Sequence, residues 1–245
     1  MTNLELEQIA AEAPVLRLVS ADEAAGVIDL RDTLASQPVV NARLRGWMPK
    51  AKSLLERSLA AVALLLLAVP FLVIAAIVRL TSPGPALFRQ QRVGLNGSIF
   101  DIYKFRTMVN GADDLIDQII DLNEHDGVLF KIKNDPRCTS FGTRLRRHSI
   151  DELPQLINVV RGEMSLVGPR PALPTEVAQY GAATCRRLQV KPGLTGLWQV
   201  SGRSNLSWDE SVKLDLRYVE EWSPLLDVKI LLQTVPAVLT RKGAY

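Results

Sequence analysis

Two adjacent carboxylates, Asp151 and Glu152, stand directly behind a basic run, Arg144, Arg146 and Arg147, and just ahead of Pro154. Such a pair has a plain structural reading. Ser149 to Glu152 matches the S-x-x-E capping box, with Ser149 as N-cap and Glu152 at the third position. Alternatively, Asp151 is itself the N-cap and Pro154 falls in the first turn, where proline is tolerated. The chemical reading is a centre for a phosphorylated, metal-bound substrate. Mg2+ takes one or two carboxylates and completes its shell with water and phosphate oxygens. Asp151 and Glu152 are the candidate metal ligands for that share.

The surrounding cations favour the chemical reading. Arg170 is held between two prolines in "GEMSLVGPRP", and Lys191 and Arg203 lie in the glycine-rich "VKPGLTGLWQVSGRS". A helix start flanked by arginines attracts anions through its free N–H groups and its dipole. Glycine, in turn, lets backbone approach phosphate closely. Arg146, Arg147, Arg170, Lys191 and Arg203 are therefore the candidate phosphate-binding residues, with Lys104 behind them. For each one taken alone, a surface salt bridge or a lipid head-group contact is an equally ordinary fate.

The elements that must position these residues follow from local pattern. "FRQQRVGLNGSIFDIYKFRTM" reads as two strands around Asn96-Gly97, a hairpin signal. Lys104 and Arg106, two apart, then point to one face of the second strand. "ADDLIDQIIDL" reads as an amphipathic helix. Further helices are expected over residues 150–161, Trp208–Trp222 and Leu225–Arg241, the last mostly apolar. Trp208 and Trp222 belong to an interface or a core, and His125, His148, Cys138 and Cys185 receive no catalytic role.

Ser58 to Val78 is an apolar run without a charge, about 31 Å as a helix, enough to cross a hydrocarbon layer of roughly 30 Å. Two details speak against an ordinary crossing. Pro70 sits near its centre and removes a backbone hydrogen bond. Both flanks are basic, with Lys50, Lys52 and Arg57 before it and Arg79, Arg89 and Arg92 after it, so no asymmetry orients a span. A re-entrant helix and a true span both remain open on these residues. Ahead of the run, residues 1–40 are rich in acids and show short helical periodicity in "LELEQIAAEA", as in a weakly ordered extension.

Composition removes several classes. Net charge is +3, and the basic residues cluster around an acidic pair rather than forming a stripe interleaved with aromatics. That excludes a nucleic-acid-binding module. Two cysteines and two histidines make neither a disulfide framework nor a zinc cluster. A membrane-anchored, non-catalytic scaffold would need lesions in the acidic pair or the phosphate loops, and the sequence has none.

From about Lys52 to Tyr245 the chain resembles the bacterial sugar transferases known as monotopic polyprenyl-phosphate phosphoglycosyl transferases. The resemblance is carried by the apolar run into "TSPGPALFRQQRVG", then "FDIYKFRTM", "NDPRCTSFGTRLRRHSIDELPQLINVVRGEMSLVGPRP", "KPGLTGLWQVSGRS" and "RKGAY", in that order. It implies transfer of a sugar-1-phosphate from a UDP-sugar to undecaprenyl phosphate, with release of UMP and a requirement for Mg2+. It further implies Asp151 as nucleophile through a covalent phosphosugar intermediate and Glu152 as the Mg2+ ligand. The reaction would open exopolysaccharide, capsule or O-antigen synthesis, on the cytoplasmic face of the inner membrane. The family's membrane segment is re-entrant and broken at a Ser-Pro pair. Here the pair is Val69-Pro70, so the proline is kept and the serine is not.

The expected protein is mainly α with a small β-hairpin. A re-entrant membrane helix and amphipathic interfacial helices surround a cytosolic catalytic domain. An extension over 1–49, a membrane helix over 50–82 and a catalytic domain over 83–245 divide the chain. Its partners are the UDP-sugar, the lipid phosphate and membrane lipid, with a homo-oligomer left open. The chemistry is consistent: an aspartate with a solution pKa of ~3.9 is already ionised at neutral pH and needs no general base.

Overall fold

The structure, a computed structural model, describes residues 17–19, 27–29, 41–112, 114–115, 132, 135–202 and 206–240. The helix expected in "ADDLIDQIIDL", the periodic leader "LELEQIAAEA" and the terminal "RKGAY" lie largely or wholly outside these residues. In the leader, strands β1 (Arg17–Val19) and β2 (Val27–Asp29) pair antiparallel.

Helix α1 (Met48–Thr81) carries the apolar run, and Pro70 lies inside it without ending it. It packs one face along the rest of the protein. Ala60, Ala63, Leu64 and Leu67 meet Phe100, Ile102, Leu156, Val159 and Met164. Farther along, Phe71, Ile74, Ala75 and Val78 meet Phe105, Leu145 and Ile150. The opposite face is bare, with Leu65 at 78% and Leu66 at 77% exposure and Leu54, Leu59, Val69 and Leu72 also exposed.

Strands β3 (Leu87–Val93) and β4 (Ile99–Phe105) form the expected hairpin, with Leu87 opposite Phe105 and Val93 opposite Ile99. Asn96 and Gly97 both take positive φ, 52° and 81°, as a tight two-strand connection demands. The strand ends at Phe105, so Lys104 and Arg106 do not share a task. Arg106 turns to the end of α1 and donates to the carbonyls of Ser82 and Pro83. It thereby satisfies backbone acceptors where the helix stops. Arg89 and Arg92, which follow the apolar helix in sequence, both belong to β3.

Helix α2 (Ser140–Arg147) is capped by Thr139, whose Oγ1 accepts the Gly142 N–H at 2.9 Å. The expected helix over 150–161 is a 3-10 helix, Ile150–Gln155, running into α3 (Leu156–Arg161). The capping box expected at its start does not form. Ser149 takes the left-handed conformation, φ 56°, and its side chain caps nothing. Asp151 is not an N-cap either, because it lies inside the 3-10 helix.

Short elements follow: β5 (Ser165–Val167), α4 (Pro174–Val177), α5 (Ala182–Cys185), β6 (Gly193–Thr195) and α6 (Leu197–Ser201). Strands β5 and β6 pair in parallel, a small sheet that the pattern reading did not include. Helix α7 (Trp208–Glu221) opens with a true capping box, Ser207 with Glu210, and α8 (Pro224–Thr240) closes the described chain. Trp222 and Tyr218 are buried with Ile230 and Val167. Leu225, Leu232, Val235 and Leu239 on α8 are exposed. The result is mainly helical with a small hairpin, as expected.

Candidate active site

The acidic pair sits on the 3-10 helix, which packs against β4 and is entered through α2. Asp151 is buried, 7% exposed, whereas the Glu152 side chain keeps 40% exposure. Lys104 reaches across from β4 and donates to Glu152 Oε1 at 2.6 Å. Arg146 arrives from the last turn of α2, where its Nε donates to Thr107 Oγ1 at 2.9 Å.

These neighbours drive the two carboxyls apart. Burial, and then the charge of Glu152, pushes the Asp151 pKa up to about 6, against the opposing pull of Lys104 and Arg146. Burial also disfavours ionisation of Glu152. There the Lys104 ammonium, with Arg170 and Arg92 beyond it, wins and holds the pKa below the usual value. Adjacent carboxylates with opposite shifts suit two different roles.

Arg170 is fixed by Glu176, a buried carboxylate on α4 that takes Arg170 Nη1 at 3.1 Å and the Leu173 N–H at 2.9 Å. The Arg170 guanidinium also stands 5.9 Å from the centre of the Trp198 ring. Arg92 completes the group, and the pattern reading missed it. It is buried on β3, donating to the Pro171 carbonyl at 3.0 Å and to Gln90 Oε1 at 2.6 Å. It thus holds the loop that bears Arg170. Burial, followed by the charge of Arg170, lowers its pKa to about 10. A signal for it existed: in the hairpin register, Arg92 falls on the face of Lys104, opposite Phe100.

Other expected residues go elsewhere. Arg147 is exposed, about 100° round α2 from Arg146. Lys191 donates to Ser53 Oγ of α1 at 3.0 Å, and a side chain at Gly162 would touch its Nζ. Gly162 ends α3, roughly 19 Å along the helix from Asp151. The structure therefore does not bring Lys191 to the pair. Arg203 lies outside the described residues. The glycines of that segment are used for packing: a Cβ at Gly193 would fall 2.1 Å from Gly168 N, and one at Gly196 would fall 2.1 Å from Gly168 O. They press one backbone against another and anchor the loop before Arg170. Trp222 is core, its Nε1 donating to Asp227 at 3.0 Å. His148 ends α2, its Nδ1 2.8 Å from the Arg144 carbonyl.

The donor set fits a hard divalent cation. Glu152 is half-buried with its carboxylate open beside the Lys104 bond, Asp151 lies next to it, and no group of three or more His, Cys, Asp or Glu occurs among the described residues. Two carboxylates that need phosphate oxygens to complete a shell suit Mg2+ better than zinc.

Comparison with known proteins gives the family. Residues 47–241 match the family model described as bacterial sugar transferase. The galactosyl transferase CpsE of Streptococcus agalactiae is 50% identical over 162 residues, covering 66% of this chain and 36% of the relative. The exopolysaccharide production protein ExoY of Rhizobium meliloti is 43% identical over 190 residues, covering 76% of this chain and 84% of ExoY. The UDP-glucose:undecaprenyl-phosphate glucose-1-phosphate transferase of Caulobacter vibrioides is 42% identical over 228 residues, covering 86% of this chain and 79% of the relative. The match thus spans about a third of CpsE but most of the other two. Both acidic residues and all four cations that the fold gathers around them fall inside the matched segment, and this chain belongs to the bacterial sugar transferase family.

Proposed function

We propose that the protein transfers a sugar-1-phosphate from a UDP-sugar to undecaprenyl phosphate and releases UMP, as the membrane-bound opening step of exopolysaccharide, capsule or O-antigen synthesis. The observation that carries this reading is the buried Asp151 beside Glu152, faced by Lys104, Arg146, Arg170 and Arg92. The activities of the relatives support it: one is an undecaprenyl-phosphate galactose phosphotransferase and another a glucose-1-phosphate transferase on the same lipid.

In the first half-reaction an Asp151 carboxylate oxygen attacks the sugar-bearing phosphorus of the donor. The bond to the bridging oxygen breaks, the electron pair leaves on that oxygen, and UMP departs. Asp151 then carries the phosphosugar as an acyl phosphate. In the second, an oxygen of the lipid phosphate attacks the same phosphorus and the Asp151 carboxylate is released. No proton need be removed from the nucleophile. Arg146 and Lys104 offset the charge of the diphosphate as the anionic nucleophile approaches, and Arg170, steadied by Arg92 and Glu176, faces the leaving phosphate. Mg2+, held by Glu152 with Asp151 alongside, would neutralise diphosphate charge.

The packing of α1 along one body supports a membrane segment that stays on one face of the bilayer. Among the described residues α1 is the one helix long and apolar enough to cross a membrane. Yet both its ends engage the same folded body. Lys52 bonds Asp227 near its start, and Val78 and the Arg106 contacts hold its end. A crossing would put those ends at opposite surfaces, about 30 Å apart. A helix lying along the body, with its bare leucine face in lipid, keeps the active site at the interface where the lipid phosphate is found.

The test is UMP release by detergent-solubilised protein with Mg2+, undecaprenyl phosphate and each of a panel of UDP-sugars. Lipid- and Mg2+-dependent UMP from one donor, abolished in Asp151→Asn, is the expected result. UMP release unaffected by Asp151→Asn would overturn the assignment of the nucleophile.

A further inference from the structure

Arg57 on α1 and Lys191, just ahead of β6, meet over Gly162 at the end of α3. A Cβ on Gly162 would lie 3.5 Å from Arg57 Nη1 and 3.6 Å from Lys191 Nζ, so two cations from distant parts of the chain converge on one position. Each spends a minority of its donors on the protein. Arg57 gives its Nε–H to the Val160 carbonyl at 2.8 Å, and Lys191 gives one N–H to Ser53 Oγ at 3.0 Å.

The nearby carboxylates are engaged elsewhere. Glu56 accepts from Ser165 Oγ at 2.5 Å and pairs with Lys52 at 3.5 Å, while Lys52 is itself bonded to Asp227 at 2.7 Å. Glu163 accepts from Asn158 Nδ2 at 2.7 Å. Positive charge is left in excess over Gly162. Burial, and then the charge of Arg57, lowers the Lys191 pKa, with Glu56 opposing. The α3 C-terminus attracts both cations, but it takes only the Arg57 Nε–H, through the Val160 carbonyl, and leaves the other donors unspent. Leu54, one turn before Arg57, and Leu65, two turns after it, stand exposed on the side of α1 that Arg57 borders, so an anion seated here adjoins an apolar surface.

We propose that Arg57 and Lys191 hold the phosphate of an anionic phospholipid, its head group over Gly162 and its acyl chains along Leu54 and Leu65. Gly162 puts no side chain between the two cations, and their unspent donors match the oxygens of a phosphate. This binding site is separate from the reacting centre, roughly 19 Å away along the 3-10 helix and α3. It rests on the reading of α1 as a membrane segment.

The protein in nonionic detergent is titrated with phosphatidylglycerol, phosphatidylcholine or inorganic phosphate, with bound lipid counted by native mass spectrometry and Tm followed in parallel. A preference for phosphatidylglycerol over phosphatidylcholine of roughly tenfold or more is expected. It should drop in Arg57→Gln and in Lys191→Gln and vanish in the double variant, but persist in Arg217→Gln, which removes a charge from the exposed face of α7. Equal binding of the two lipids by the unaltered protein would overturn the proposal, and that comparison needs no variant to fold. Retention of the preference in the double variant, or its loss in Arg217→Gln, would also overturn it. Inorganic phosphate that reproduces the Tm gain and displaces phosphatidylglycerol would mark a free-anion site and refute the lipid assignment. Sedimentation of the same protein with membranes through high salt reports separately on α1, so failure there is distinguishable from failure of the head-group site.

Discussion

Two neighbouring carboxyls reach different states because they sit on different sides of one short helix start. Asp151 faces inward and titrates near 6, while Glu152 faces Lys104 and stays ionised below the usual range. The raised value means that, in the metal-free protein, Asp151 gains its proton as pH falls through about 6 and is a carboxylate above it. Carboxyl-labelled aspartate NMR of the metal-free protein should show one resonance with that midpoint, absent in Asp151→Asn. Because the Lys104 charge pulls the value down, Lys104→Met should move the midpoint upward. A midpoint unchanged by that substitution would count against the Lys104 contact. Arg92→Met removes the grip on the Pro171 carbonyl, and misplacing Arg170 by an ångström should cost on the order of 100-fold in kcat. The pair, Arg146 and Arg170 were legible from type and spacing. Arg92 was legible only as a neighbour of Lys104 on one strand face, because its role depends on which face meets the 3-10 helix.

Elements carry these residues through a few close approaches. Gly142 lets α2 settle onto Thr107, where a Cβ would fall 2.0 Å from the Thr107 carbonyl oxygen. Gly142→Ala should therefore push α2 away, loosen the Arg146–Thr107 bond and lower activity by about two orders of magnitude. Activity near the unaltered level would refute that coupling. At the other end of the fold, Asp227 accepts from Lys52 Nζ, Tyr218 Oη and Trp222 Nε1. Asp227→Ala strands the Trp222 N–H and leaves Lys52 and Tyr218 only the Val167 carbonyl and Glu56, and it should destabilise the protein by about 1–3 kcal/mol, read as a fall in Tm. The hairpin, α7 and α8 were legible because turn chemistry and apolar periodicity are local. The failed capping box at Ser149 and the diversion of Arg106 were not. Each turns on a competing partner supplied from elsewhere: Lys104 takes Glu152, and the carbonyls at the end of α1 take Arg106.

Over the whole molecule, two apolar helices, α1 and α8, leave their leucine faces uncovered while their polar ends are knitted together through Lys52, Asp227 and Tyr218. Insertion by apolar burial, not by charge, predicts that the protein stays in the membrane pellet at high ionic strength and leaves it only with detergent. Release by salt alone would contradict it. The length and apolarity of the helix were plain from Ser58–Val78. That both its ends return to one body was not, because it depends on packing against residues up to 175 positions away.

The central claim is that Asp151 itself takes the phosphosugar before the lipid arrives. The most direct measurement incubates the protein with Mg2+ and a UDP-sugar labelled at the sugar-bearing phosphate, with acceptor lipid omitted, then locates any label by mass spectrometry of peptides. The account predicts stoichiometric UMP release and a phosphosugar on the peptide containing Asp151, discharged when undecaprenyl phosphate is added and absent in Asp151→Asn. Label transfer that occurs only with lipid present, with no adduct on the protein in its absence, would show direct displacement and contradict the account.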